Sequence, residues 1–74
     1  MNWKDYITTD PAVAQGQACI KGTRILVSTV LDNLAEGLSV DEIIKEYPPI
    51  TADDIKAAMA YAADLTRERT VILP

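Results

Sequence analysis

Seventy-four residues make one domain near the lower size limit at which a chain buries its own core, and 49% hydrophobic with 24% charged residues is an ordered, globular composition. A net charge of −4 argues against a generally basic, phosphate-seeking surface; with no histidine and one cysteine, an internal disulfide, zinc chemistry and Ser-His or Cys-His nucleophiles are excluded. The polar start at Asn2, Lys4 and Asp5, with no apolar run of bilayer-spanning length, predicts a cytoplasmic protein without signal peptide or membrane span.

Aromatics are limited to Trp3, Tyr6, Tyr47 and Tyr61, so the core has to come from Ile, Leu, Val, Met and Ala. A core that small often borrows area from a second subunit, and a homodimer is the expectation. In chain order, Met1 to Tyr6 reads as a mixed, partly polar arm. Ile7-Thr8-Thr9 is β-prone and stops at Asp10-Pro11. Ala12 to Gly16 is a short connection. Two apolar runs, Ala18 to Ile20 and Ile25 to Val27, flank Lys21-Gly22-Thr23-Arg24, where Gly22 can take a positive φ. The pattern predicts a β-hairpin or bent ribbon over 7–27, with 7–9 pairing near 18–20. Cys19 lies in an apolar run and reads as a buried, inert thiol.

Three helices follow. The first is expected from about Thr29 to Glu36, capped by Ser28 or Thr29, with Val27, Val30, Leu31, Leu34, Ala35 and Leu38 on one stripe. Asp32, Asn33 and Glu36 face out, and Gly37 sits where a left-handed carboxy-terminal cap belongs. Ser39 and Glu42 form a capping box for a short second helix whose apolar face is Val40, Ile43, Ile44 and Tyr47; Pro48-Pro49 stops it. Thr51 caps the third and longest helix, whose face is Ile55, Ala58, Met59, Ala62 and Leu65. Ala57, Ala60 and Ala63 add helix propensity and permit close packing. An apolar tail, 70–74, closes the chain. The fold class is mainly α: a three-helix bundle of helix-turn-helix character, over 28–69, preceded by a short β-ribbon.

Three blocks carry a resemblance: Gly16-Gln17-Ala18-Cys19-Ile20-Lys21-Gly22-Thr23-Arg24-Ile25-Leu26-Val27, then Ala35-Glu36-Gly37-Leu38-Ser39, then Glu46-Tyr47-Pro48-Pro49-Ile50-Thr51-Ala52-Asp53-Asp54-Ile55. In order and spacing, from Ile7 to about Ala63, the chain resembles the bacterial family called domain of unknown function 433. It departs from that pattern at Leu26 and Ala18, where the family often has Pro, which loosens the ribbon slightly. The resemblance implies a homeodomain-like three-helix fold with an amino-terminal ribbon. It further implies a role as a VapB-like antitoxin encoded beside a PIN-like ribonuclease toxin.

Asp53 and Asp54, with Asp41 and Glu42, have the look of metal-binding carboxylates. Each pair falls in the first turn of a helix, where acids complement the macrodipole and cap free N–H groups, and that structural role is favoured. Neither a cofactor nor an enzymatic activity is expected. The amino-terminal end of the third helix offers a DNA groove only Lys56 among acids. Lys21, Thr23 and Arg24 on the ribbon turn make a second footprint, of weak and salt-sensitive binding; the alternative has Arg24 paired with Asp32 or Glu46 and Lys21 merely solvated. For a protein partner, Arg67 and Arg69 can reach acidic groups while Val71, Ile72 and Leu73 add a strand; the alternative pairs the tail with the chain's own ribbon or a twin's. Two functions stay open: an antitoxin neutralising a PIN-like ribonuclease, and a dimeric DNA-binding or adaptor module acting without a toxin.

Overall fold

Ile7–Thr8 (β1) and Cys19–Ile20 (β2) pair antiparallel, Ile7 opposite Ile20 and Thr8 opposite Cys19, in the computed structural model of the chain, which describes residues 1–68. Strands this short are held by burial more than by their ladder: Ile7, Cys19 and Ile20 are all shielded from water. On the other edge of β2, Cys19 bridges Leu26, and the Ile20 N–H donates to the Ile25 carbonyl at 2.9 Å. The expected hairpin is therefore present, though only one bridge deep. Its turn is closed by the Thr23 N–H on the Ile20 carbonyl at 3.0 Å, with Gly22 at φ +81° in the third position.

Between the strands, where the sequence predicts only a short connection, the chain makes a left-handed turn. Ala14, Gln15 and Gly16 have φ of +49°, +58° and +83°. Gly16 and Gln17 donate their N–H groups to the carbonyls of Val13 and Ala14 at 3.0 and 3.2 Å, which fixes two non-glycine residues in a sparsely occupied region.

Helix α1 covers Val27–Ala35, two residues earlier than expected. Its cap is Leu26, without a side-chain bond, so neither Ser28 nor Thr29 caps it. The reason is local: the Val27 N–H already donates to the Ala18 carbonyl at 3.0 Å, so the ribbon satisfies an orphan donor of the first turn. Its carboxy-terminal end is a Schellman motif, with Leu38 N–H on the Asn33 carbonyl and Gly37 N–H on that of Leu34. Gly37 has φ +97° and open space where a Cβ would be, so the cost of a side chain there is purely conformational. Gly37→Ala is expected to lose about 1–2 kcal/mol, read as a lower urea midpoint with unchanged slope.

Helix α2 covers Val40–Glu46 and carries the predicted capping box. Tyr47 leaves the helical region at ψ 75°, and its carbonyl accepts the Ile50 N–H at 3.0 Å, closing the turn around Pro48-Pro49. Helix α3 covers Ala52–Glu68. Thr51 caps it as predicted, and Asp54 completes a second box: Asp54 N–H on Thr51 Oγ1 at 3.1 Å, Thr51 N–H on Asp54 Oδ2 at 2.9 Å. Ile50 and Ile55, on either side of this cap at the positions of a hydrophobic staple, are both in the core.

The core gathers Ile7, Ile20, Val27, Val30, Ile43, Ile50, Ile55, Ala57 and Ala58, with no buried polar residue among the described ones. The facing of residues on both α3 and α1 differs from the sequence reading. Met59 and Leu65 are each 44% exposed, whereas Ala57 is wholly buried. The amino-terminal arm covers α3 on its Tyr61 and Asp64 side, which turns the buried arc toward Ala57 and leaves Met59 outside. On α1, Ala35 is exposed, while Asn33 is half-buried with its Nδ2 shielded and unpartnered.

Candidate functional site

The feature best suited to holding another molecule lies where α3 runs past the core. Tyr61 and Leu65 of α3, Val27 and Leu31 of α1, and Ala18 ahead of β2 enclose an open, mostly apolar groove of about 410 Å³. Gly16 and Gln17, at the end of the left-handed turn, form part of its rim, so the strained backbone shapes this wall. Leu65 sits at the edge of the groove with nearly half its surface in water.

Two turns of α3 around the groove are tied to the amino-terminal arm. Trp3–Asp5 is a single 3-10 turn, and the Trp3 indole N–H donates to Asp64 Oδ2 at 2.5 Å. The Trp3 and Tyr61 rings meet edge to face with centroids 4.8 Å apart, and Lys4 Nζ lies 5.9 Å from the Trp3 centroid. The other Asp64 oxygen takes Arg67 Nη1 at 2.6 Å. The indole donor holds the Asp64 carboxyl below the usual carboxylate range against an opposing effect of burial, with Arg67 and then Lys4 adding to it.

Arg67, predicted as a partner-binding residue, is thus exposed with its guanidinium on Asp64. A partner's carboxylate has to share or displace that contact. Arg69, Val71, Ile72 and Leu73 lie outside the described residues. Trp3, Asp64 and the groove escaped the sequence reading. The available signal was that Trp3 is the one tryptophan of an aromatic-poor chain.

The basic footprint is divided by the structure. Thr23 is engaged internally: its hydroxyl donates to the Ile20 carbonyl at 2.8 Å and accepts the Ile25 N–H at 3.0 Å, so it locks the turn. Lys21 and Arg24 are exposed, and among the described residues Arg24 pairs with neither Asp32 nor Glu46. At the start of α3, Thr51 and Asp54 are occupied by their capping bonds, leaving exposed Asp53 and Lys56 facing outward. Glu42 is likewise a capping group, its Oε1 accepting the Ser39 N–H at 3.0 Å. That bond, and then the Ser39 hydroxyl, hold its carboxyl below the ordinary range. Cys19 is buried. Among the described residues no three His, Cys, Asp or Glu side chains are grouped to hold a metal ion, and no helix is long and apolar enough to cross a membrane.

Comparison with known proteins agrees with this architecture. The chain is 34% identical to a DUF433 member protein of known crystal structure from Anabaena variabilis ATCC 29413, with a TM-score of 0.78 over 88% of this chain and 64% of that one. It is 30% identical over 59 residues to the uncharacterized protein y4eO of Sinorhizobium fredii (strain NBRC 101917 / NGR234), covering 80% of this chain. The chain spans only 27% of that relative's length, and less than two thirds of the Anabaena protein. With the family's sequence profile matching residues 7–62, three quarters of the molecule and all but the end of its third helix, the chain belongs to DUF433, described as a protein family of unknown function.

Proposed function

We propose that this chain is a non-catalytic interaction protein, the antitoxin of a type II toxin–antitoxin pair, which neutralises a PIN-like ribonuclease through the exit of α3. The observation that carries this reading is the apolar groove with half-exposed Leu65 at its edge, two residues before exposed Arg67 on the same helix. An apolar anchor and an arginine on the same helix end suit a partner that offers a hydrophobic ridge and an acidic metal site, as a PIN-like nuclease does.

The test is co-purification with the PIN-like protein encoded by the neighbouring reading frame, together with its RNA cleavage. Leu65→Asp and Arg67→Ala are each expected to weaken binding about 30-fold or more, the mark of an anchor residue. Deleting residues 66–74 is expected to abolish inhibition. Full binding by that deletion removes the reading.

A second reading, a dimeric helix-turn-helix DNA-binding or adaptor module, draws support from the exposed pair Lys21 and Arg24. Two phosphate contacts per subunit make four per dimer, so binding of promoter DNA should weaken with salt at a logarithmic slope of about −3.6. The slope should fall by about half in Arg24→Ala. A salt-independent result, or a monomer by sedimentation, removes this reading.

A further inference from the structure

We propose that residues 2–5 act as a releasable strap that keeps the last two turns of α3 helical, so that undocking the strap unwinds residues 62–68 while the three-helix core stays folded. The proposal concerns the isolated chain and stands whatever its partner is.

It begins from where the core stops supporting α3. Ile55, Ala57 and Ala58 are wholly buried, but from Leu65 onward the described side chains are exposed. Extending a helix into water returns about as much per residue in backbone bonding as ordering that residue costs, so an overhanging end frays unless tertiary contacts hold it wound. The arm supplies them. Its indole N–H reaches Asp64 across 61 positions of sequence, and its ring stacks edge-on against Tyr61. Asp64 relays this grip one turn further by taking Arg67 on its second oxygen.

The strap is also built to move as a unit. Asn2 Oδ1 accepts the Lys4 N–H at 3.1 Å, the Asp5 N–H donates to the Asn2 carbonyl at 3.1 Å, and the Tyr6 N–H donates to the Trp3 carbonyl at 2.9 Å. Its backbone N–H bonds are therefore internal up to Tyr6, whose carbonyl accepts the Lys21 N–H at 2.7 Å and so fixes the hinge on the ribbon. Tyr61 faces both the strap and the groove, so release of Trp3 also removes one wall support of the groove.

The experiment is backbone Cα chemical shifts and amide exchange on the full chain. In Trp3→Ala, the helical shifts of 62–68 are expected to fall by about half or more, and their amides to exchange within about tenfold of unfolded rates. The amides of Ile43 and Ile55 should meanwhile stay at least about a hundredfold more protected than those of 62–68. Trp3→Phe, which keeps a ring and loses the donor, should fall between. Helical shifts at 62–68 unchanged in Trp3→Ala overturn the strap, since the helix end would be self-supporting. Should Trp3→Ala not fold, Trp3→Phe decides: loss confined to 62–68 supports the strap, and loss spread evenly over all three helices overturns it.

Discussion

Ile55→Ala is expected to cost about 3–4 kcal/mol, whereas Met59→Ala, one helical turn away, should stay within about 0.5 kcal/mol of the parent. Ile55 is wholly buried at the first turn of α3, in one cluster with Val27, Val30 and Ile43, and truncating it leaves a void that a core of isoleucines, valines and alanines refills poorly. Met59 is nearly half exposed and loses little on truncation. A domain of this size has about 4–11 kcal/mol in all, so the Ile55 change removes about a quarter or more of it and lowers the melting temperature by about 12–30 °C. Thermal and urea unfolding followed by helical circular dichroism checks both variants. Equal losses at the two positions would put the buried arc of α3 where hydrophobic spacing alone predicts it, centred between Ile55 and Met59.

That contrast shows what could and could not be read from the residues. Signals that act within a few positions were legible: Ser39 and Glu42, Thr51 at the start of α3, Gly37 after α1, and Pro48 after Tyr47 all sit in the local geometry their chemistry demands. The pairing of 7–8 with 19–20 was legible because two apolar runs have little else to cover them. Contacts between distant parts of the chain were not. Trp3 meets Asp64 across 61 positions of sequence, and Tyr61 across nearly as many, and no spacing rule ties residues so far apart. The facing of Met59 follows from that arm, and the groove from the meeting of α1, α3 and the segment ahead of β2. The cap of α1 was missed for a related reason: a carbonyl of the ribbon, invisible as a side-chain pattern, does the work assigned to Ser28. The groove was not legible as a site, because its walls come from separate elements, Ala18, Val27, Leu31, Tyr61 and Leu65.

The caps provide the second large effect. Ser39→Ala and Thr51→Ala are each expected to cost about 1 kcal/mol, and the pair about 2 kcal/mol, because the two boxes share no partner. Ser28→Ala should be close to neutral, since the first-turn donor at Val27 is held by Ala18. Acid supplies an independent check. The Glu42 carboxyl titrates lower in the folded chain than in the unfolded one, chiefly because it accepts the Ser39 N–H, and Asp64 does so chiefly because it accepts the Trp3 indole. A depressed carboxylate stabilises the fold above its unfolded pKa, and that contribution disappears as the pH falls through the folded value. The parent is therefore expected to lose stability progressively below about pH 4. Ser39→Ala, which weakens the Glu42 box, and Trp3→Phe, which removes the indole donor, should each show a shallower loss over the same range. Urea midpoints at pH 7 and pH 3 measure this directly, and parallel acid profiles for all three proteins would show that neither carboxylate is linked to folding through these bonds.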